Sequence, residues 1–255
     1  MLKEKLNTSV HCKRETKKKR SKNERRFEIH VTNLILILLV AGVFFLAFTS
    51  NITSVFSDNK LEAIYCGNSK NNKVSLMINV YWGTEYIEPM LEVLENENVK
   101  VTFFVGGTWV ASNNEVLQKI YEAGHEIGNH GYYHKDHKYL SYERNQEEIY
   151  ITHKLVKELI NVEMTLFAPP SGSYGQTTLS VASNLGYKTI MWSKDTIDWR
   201  DKDSEVCYSR ATKNAKNGDL ILMHPTEHTL KALPNIIKYY KDKNFILTTV
   251  SDNIS

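Results

Sequence analysis

The stretch GHEIGNHGYYHKDH, residues 124–137, indicates both the fold of this chain and its site. It holds four of the nine histidines, and His130 and His134 are four positions apart. Histidines at i and i+4 lie on one helix face or around one tight turn, so their nitrogens can converge on a metal ion. The run 126–129 indicates a short buried strand, and strand ends are where α/β sheets and barrels build sites. The pattern predicts a metal site, with merely solvated histidines as the alternative.

Short apolar runs alternate with amphipathic stretches from residue 74 onward. The apolar runs predict strands at 74–81, 100–105, 126–129, 165–168, 189–192, 220–224 and 245–250. The stretches between them predict helices at 86–96, 112–123, 141–160, 177–185, 204–216 and 229–243. Strict alternation of strand and helix favours a parallel sheet. About seven such units predict a distorted (β/α) barrel with parallel strands and a site at the carboxyl ends of those strands.

The N-terminal part has a different composition. Residues 1–30 carry eleven Lys and Arg against four Glu, a net charge of +7. The run LILILLVAGVFFLAF, residues 34–48, has no charge, and its extension to 29–49 is long enough to cross a hydrocarbon core of roughly 30 Å. The basic side is expected to stay in the cytoplasm, which places the C-terminal part outside. A cleavable signal peptide is the alternative.

These features divide the chain into a basic cytoplasmic tail at 1–28, a transmembrane anchor at 29–49, a linker at 50–72 and one domain at 73–255. Because the whole chain has a formal charge of +3, the residues after 30 carry −4, so nucleic acid is not an expected partner. We expect a monomeric, single-pass membrane protein whose domain is extracytoplasmic.

Polar and aromatic motifs follow the other predicted strands. A carboxylate such as Asp198 and a histidine such as His224, at neighbouring strand ends, can pair so that the carboxylate fixes one imidazole tautomer, which suits a general acid. Two unconnected polar residues are the alternative. The motifs are NVYWG at 79–83, APPSGSY at 168–174, DTIDW at 195–199 and LMHP at 222–225.

In kind and in order, these motifs resemble those of the polysaccharide deacetylases that carry the NodB homology domain. The resemblance covers about residues 73–250. The family's metal motif H-S/T-x-x-H is matched by HGYYH at 130–134, with Gly131 in place of the hydroxyl residue. Its D-x-x-D-W and L-x-H motifs are matched by 195–199 and 222–224, and GHEIGNH and FAPPSGS are also typical of the family.

The resemblance implies a distorted (β/α) barrel and metal-assisted removal of N-acetyl groups from cell-wall glycan, either peptidoglycan or a chitooligosaccharide-like chain. His130 and His134 would bind the divalent metal, which is usually zinc. His224 would be the acid, with Asp198 orienting it. The backbone N–H of Ser171 would donate to the oxyanion, and the acetyl pocket would be lined by Trp199 and Leu222.

The chain departs from the family in its first motif, T-F-D-D-G. The aspartate that serves as base and the aspartate that is the third metal ligand correspond to Tyr81 and Trp82, and the arginine that tethers the base corresponds to Ala168. These losses fit together, because a buried arginine without its carboxylate costs several kcal/mol. Gly131 also removes a contact that would support the metal. We therefore expect weakly held zinc and a similarity to a divergent subgroup of spore-forming bacteria with N-V-x-W-G in this motif.

Three interpretations follow. The first is a hydrolase with a modified site, in which Glu85 replaces the base or the ligand. The second is a catalytically inactive carbohydrate-binding pseudoenzyme of the cell envelope or spore wall. The third is a membrane-anchored scaffold in which the fold is only a platform. The second would use aromatic side chains to stack on sugar rings, namely those of Tyr81, Trp82, Tyr174 and Trp199.

Overall fold

The structure, a computed structural model, describes residues 22–52 and 61–255. Most of the predicted basic tail and residues 53–60 of the predicted linker lie outside the described residues. The first helix, α1 (Lys22–Ile52), has 31 residues. Within it the segment Arg25–Phe44 has a mean hydropathy of 2.1, which is long and apolar enough to cross a membrane, although a signal sequence has the same properties.

Residues from Lys60 onward form a compact unit of their own. At its centre is a sheet whose strands pair in parallel, in the order β5-β4-β3-β2-β1-β7-β6, with β8 beside the start of β1. This arrangement confirms the predicted barrel-like α/β class. The strands are β1 (Lys73–Val80), β2 (Thr102–Val105), β3 (Glu126–Asn129), β4 (Leu166–Phe167), β5 (Lys188–Thr189), β6 (Lys194–Asp195), β7 (Leu220–Met223) and β8 (Ile246–Leu247).

The connecting helices largely follow the predicted ones. The predicted helix 112–123 corresponds to the helix Asn114–Glu122, which begins after Asn113 with φ −137° and ψ 40°, and the short helix before it, Gly107–Ser112, was not predicted. The predicted strand 245–250 shortens to β8 and a final helical turn, and the sequence did not predict β6 and the turn after it. The helices are α2 (Thr84–Asn96), α3 (Gly107–Ser112), α4 (Asn114–Glu122), α5 (Tyr142–Ile160), α6 (Gln176–Asn184), α7 (Asp198–Asp201), α8 (Ser204–Thr212), α9 (Glu227–Asp242) and α10 (Val250–Asn253).

Both faces of β1 are buried, as expected for a central parallel strand. On the inner face, Met77 belongs to a core cluster with Phe104 and Leu222. One step further toward the carboxyl end, the inner position is Asn79, so the apolar interior ends there and the site begins. On the outer face the strand packs with the surrounding helices through Val74, Leu76, Ile78 and Val80.

The segment 61–68 is part of the folded unit, although the sequence placed it in the linker 50–72. Ile64 forms a parallel bridge with Ile190, next to β5, and Cys66 forms an antiparallel bridge with Asp219, next to β7. Ile64 also packs against the inner core cluster. The segment therefore connects the β5 side of the sheet to the start of β7. The polar residues on both sides of this segment concealed the pairing, because backbone hydrogen bonds leave little trace in sequence.

Candidate active site

The carboxyl ends of the strands surround a cavity of about 490 Å³. Three of its lining residues were given no role from the sequence, namely Asn79, Trp192 and Asp195, although Asn79 and Asp195 stand in two of the strand-end motifs. The others were predicted, and they are Tyr81, Trp82, His130, His134, Ser171, Trp199, Leu222 and His224. The strand-end motifs therefore meet in one place.

The two predicted metal ligands lie together around a tight turn after β3. The rings of His130 and His134 have centroids 5.1 Å apart, in an edge-to-face arrangement. The turn needs two left-handed residues, Gly131 with φ +70° and His134 with φ +55°. Nδ1 of His130 lies 2.7 Å from the carbonyl oxygen of Ala168. A carbonyl only accepts, so Nδ1–H donates, and Nε2 of the neutral ring carries the free lone pair.

Both of these histidines favour the neutral form. Burial, followed by the neighbouring His134, holds the pKa of His130 well below its usual range. Burial likewise lowers the pKa of His134. A metal ligand must be the neutral imidazole, so the surroundings prepare both rings for that role at neutral pH.

The flanking histidines do not reach the cavity. His125 is buried, and its Nδ1 accepts a hydrogen bond of 3.2 Å from the backbone N–H of Val101. His137 is fully buried, and its Nδ1–H donates to the side-chain oxygen of Asn145 at 2.7 Å. An added Cβ at Gly131 would lie 3.0 Å from Nε2 of His137. The glycine that departs from the family motif is therefore required both by its φ and by the position of this histidine.

Two buried polar side chains that the sequence analysis missed hold the histidine turn. Asn129 accepts a hydrogen bond from the backbone N–H of Gly131 at 2.9 Å. Glu148, on α5, accepts from the backbone N–H groups of Tyr132 and Tyr133 at 2.8 and 2.6 Å. Glu148 is only 1% exposed. The sequence did carry a signal for Glu148, since this acid falls on the apolar face of the predicted helix 141–160. A buried carboxylate needs hydrogen-bond partners, so its position indicates a structural role.

Asp198 and His224, which were predicted to pair, lie within hydrogen-bonding distance. Nδ1 of His224 lies 2.8 Å from one oxygen of Asp198, and the backbone N–H of His224 donates to the other oxygen at 2.7 Å. The hydroxyl of Thr229 also donates to that second oxygen. Burial opposes ionisation of Asp198, but the hydrogen bond from His224 and the others outweigh it and hold the pKa of Asp198 below its usual value. The carboxylate therefore stays charged and orients the imidazole.

Aromatic rings lie at the positions that correspond to the family's aspartates. Tyr81 packs against His134 with centroids 4.7 Å apart, and Trp82 stacks on His224 at 5.8 Å with an angle of 10° between the rings. In the part of the chain that the structure describes, no three His, Cys, Asp or Glu side chains are arranged to hold a metal ion. The donor set thus fits a cation held by two neutral histidine nitrogens, and no carboxylate of the described residues lies where it could join them as a third ligand.

The remaining predicted residues divide into two groups. Ser171 lines the cavity and has a left-handed backbone with φ +55°, in a turn directly after β4. The hydroxyl of Tyr174 is instead 2.8 Å from that of Tyr65, and the ring is not part of the cavity lining. Glu85 lies exposed in the first turn of α2 and also stays outside the lining. The structure therefore does not bring the expected substitute base to the site.

Comparison with known proteins supports a single family. The profile of the family described as polysaccharide deacetylase matches residues 66–190. The chain is 41% identical over 191 residues to the uncharacterized protein YlxY of Bacillus subtilis, and the match covers 75% of this chain and 60% of that protein. It is also 31% identical over 173 residues to a peptidoglycan-N-acetylglucosamine deacetylase of Bacillus cereus, covering 66% of this chain and 81% of that enzyme.

Among solved structures, the fold is similar to a pseudoenzyme of carbohydrate esterase family 4 from Bacillus anthracis. The TM-score is 0.75, with 34% identity over 78% of this chain and 70% of that one. A mutant of that pseudoenzyme, described as having restored enzymatic activity, aligns with the same TM-score and 33% identity over 78% of this chain and 73% of that one. The fold therefore accommodates both active and inactive sites.

Proposed function

Because this chain belongs to the polysaccharide deacetylase family, we propose that it is a hydrolase that removes N-acetyl groups from cell-wall glycan, such as peptidoglycan. The observation that carries the proposal is the pairing of His224 with a buried, ionised Asp198 at a cavity that His130 and His134 also line. A site that hydrolyses an amide needs a group that protonates the leaving amine, and a metal-assisted one also needs neutral histidines as ligands. These residues would supply both.

His224 would act as the general acid. Asp198 accepts its Nδ1–H, which leaves Nε2 as the nitrogen available to substrate. A protonated Nε2 would give its proton to the amine that leaves as the C–N bond breaks. The charged Asp198 stabilises the imidazolium before that transfer.

Backbone and apolar groups would position the acetyl group. The left-handed turn at Ser171 directs the loop after β4 toward the cavity, and its backbone N–H would donate to the developing oxyanion. Leu222, from β7, and Trp199, from α7, would contact the methyl group.

His130 and His134 would hold a divalent cation, with zinc as the expected metal. The hydrogen bond from His130 to Ala168 fixes the tautomer in which Nε2 is a ligand. When bound, the cation would supply Lewis-acid polarisation of the acetyl carbonyl. Weak metal binding is expected because Trp82, at the position of the third ligand, offers no atom that can coordinate a metal.

Slow turnover is expected because the family's base is missing. Loss of a general base costs about 10²–10⁴ in rate. Glu85, the expected substitute, lies outside the cavity. The acid half of the site is unaffected by this loss, so residual hydrolysis should depend on His224.

The test measures acetate released from N-acetylglucosamine oligomers and peptidoglycan fragments by the full-length protein in detergent, with zinc, cobalt or nickel added. We expect slow release that falls at least about 10²-fold in His224→Ala. The matched control is His228→Ala, which removes a histidine of α9 outside the cavity. No release with any metal, or equal rates in wild type and His224→Ala, would refute the hydrolase.

A carbohydrate-binding pseudoenzyme is the second candidate. It is favoured by Tyr81 and Trp82, which replace two carboxylates with rings suited to stacking on a sugar. The similarity of this chain to a structure described as a pseudoenzyme agrees with this alternative. Binding of oligosaccharide without acetate release would favour it over the hydrolase.

For location, we propose a single-pass anchor that holds the domain outside the membrane. The support is the apolar segment Arg25–Phe44 beside eleven basic residues in 1–30. A domain outside the membrane would reach a substrate in the cell wall. All residues proposed for deacetylation belong to this one domain, so we propose that it acts as a monomer.

A further inference from the structure

The cavity has an electrostatic character that an acetylated, uncharged sugar does not use. Asp195 is the one carboxylate among its described lining residues, and that lining has no Lys or Arg. One oxygen of Asp195 accepts the backbone N–H of Ile197 at 2.8 Å, which fixes the side chain at the end of β6. A fixed, half-buried carboxylate in a cavity without a lining Lys or Arg favours a cationic ligand.

The cations nearest to Asp195 in the chain are engaged elsewhere. Lys194 donates to the carbonyl of Lys213 and lies 3.6 Å from Asp219. Arg200 donates twice to Asp201, at 2.6 and 3.1 Å. Arg200 also interacts electrostatically with Asp195 over a longer range. Within the residues that the structure describes, however, Asp195 forms no ion pair at contact distance, so its oxygens can still pair with a cationic ligand.

Asn79 adds a second acceptor. It is 4% exposed, at the point where the apolar inner layer of β1 ends, and it lines the cavity. Its side-chain oxygen is buried and has no hydrogen-bond partner in the described part of the chain. A buried acceptor left without a donor costs about 1–3 kcal/mol, which a ligand that brings a donor would recover.

The walls are aromatic. A protonated amine is attracted to the faces of such rings, most strongly to tryptophan, and aromatic cages for ammonium groups combine this attraction with a carboxylate. Here the cavity brings together the four rings of Tyr81, Trp82, Trp192 and Trp199.

We propose that this cavity binds the free ammonium group of a deacetylated amino sugar, and that it prefers glucosamine units to N-acetylglucosamine units. The ammonium offers three N–H donors and a positive charge, whereas the acetamide offers one donor and no charge. The inference rests on the proposed function only in taking an amino sugar as the ligand. A hydrolase with this preference retains its product, and a pseudoenzyme with it binds glycan that other deacetylases have modified.

The experiment compares binding of glucosamine tetramer and N-acetylglucosamine tetramer to the full-length protein in detergent, by calorimetry with a chelator present. We expect the glucosamine tetramer to bind about tenfold more tightly, which corresponds to about 1.4 kcal/mol. Equal or weaker binding of this tetramer would overturn the proposal. The same titration is repeated without the chelator. Binding of the glucosamine tetramer that is seen only without the chelator would also overturn the proposal, since the amine would then be a metal ligand.

Asp195→Asn tests the carboxylate while keeping the acceptor for Ile197. It should lose about tenfold in affinity for the glucosamine tetramer and keep its affinity for the acetylated one. Glu92→Gln, which neutralises an exposed carboxylate on α2, is the matched control and should change neither. An unchanged preference in a folded Asp195→Asn protein contradicts the proposal. If Asp195→Asn does not fold, Trp199→Leu is the second variant, because its side chain is 54% exposed and the change should leave the fold intact. It should reduce the preference for the glucosamine tetramer.

The result is independent of turnover, because the glucosamine tetramer has no acetyl group to remove. Acetate release from the acetylated tetramer tests the hydrolase separately. A protein that releases acetate without preferring the amine refutes this inference alone. A protein that prefers the amine and releases nothing refutes the hydrolase alone.

Discussion

At the residue scale, the site depends on which side chains follow β1 and β3. His130 and His134 were predictable because the spacing of two histidines after a strand is visible in sequence. His224 and Asp198 were predictable for a similar reason, since both follow predicted strands. Asn79 and Asp195 stand in predicted strand-end motifs but received no role, and Trp192 was missed, because only the packing of strands into a barrel determines which of these side chains line the cavity.

Zinc binding is the first residue-scale prediction. Calorimetry of the full-length protein should show binding that His130→Ala lacks, because this change removes one of two ligand nitrogens. The affinity should be lower than in relatives that have the aspartate ligand. His153→Ala is the matched control, since that histidine bonds to Tyr187 and Glu163 outside the cavity. Identical zinc binding by wild type and His130→Ala would show that the metal is held elsewhere.

At the element scale, α5 holds the histidine turn, and the segment 61–68 pairs with residues next to β5 and β7. The long helix α5 was predicted from its apolar periodicity, but the role of its buried acid was not. The segment 61–68 was placed in the linker because the stretch 50–72 around it is rich in Asn, Ser and Lys. The role of Glu148 and the pairing of 61–68 were not predicted for the same reason. A hydrogen bond to the backbone depends on which strand or turn lies nearby in the fold, and the local pattern of polar and apolar residues does not reveal that.

Glu148→Gln should loosen the histidine turn. The amide oxygen can keep only part of the two hydrogen bonds from Tyr132 and Tyr133, and the charge that strengthens them is lost. We expect a loss of about 1–3 kcal/mol in the free energy of unfolding, measured with urea, and weaker zinc binding. Glu147→Gln, its exposed neighbour, should have little effect. Equal stabilities for the two variants would contradict the role of Glu148.

Removal of 61–68 should destabilise the domain. This segment forms backbone hydrogen bonds that link Ile64 with Thr189 and Met191, Gly67 with Gly218, and Asn68 with Asn253. At about 0.5–1.5 kcal/mol for each of these four bonds, a protein that begins at 69 should be about 2–6 kcal/mol less stable than one that begins at 61. Urea unfolding measures the difference. Equal unfolding midpoints with equal slopes would show that the segment is only a linker.

At the scale of the whole molecule, the class of fold was predictable because strict alternation of strand and helix leaves few topologies. Sequence missed β6 and placed β5 too far along the chain, at 189–192, because each of these strands has only two residues and its pairing depends on its neighbours. The arrangement of an apolar segment before a separate compact unit was predictable from composition alone.

Topology is the prediction at this scale. The basic N-terminal residues should stay inside and the domain outside, because positive charge beside an apolar segment is retained in the cytoplasm. Protease added to intact protoplasts should digest the domain from Lys73 onward. Full protection of the domain would contradict this orientation. A mature protein that begins near Asn51 would show that the apolar segment is a cleaved signal and not an anchor.

The central claim is that this cavity is a deacetylase site that lacks only its base, its third metal ligand and the arginine that tethers the base. The variant that tests it carries Tyr81→Asp, Trp82→Asp and Ala168→Arg together. Ala168 is fully buried in the inner core cluster, so an arginine there without its carboxylate would be an unpaired buried charge.

Acetate release from N-acetylglucosamine oligomers, with zinc present, is the measurement. One restored base accounts for about 10²–10⁴ in rate, and imperfect packing of three new side chains will offset part of that gain. The account predicts at least about a tenfold rise over wild type in a variant whose circular dichroism shows that it is folded. A folded variant that releases acetate no faster than wild type would contradict the account.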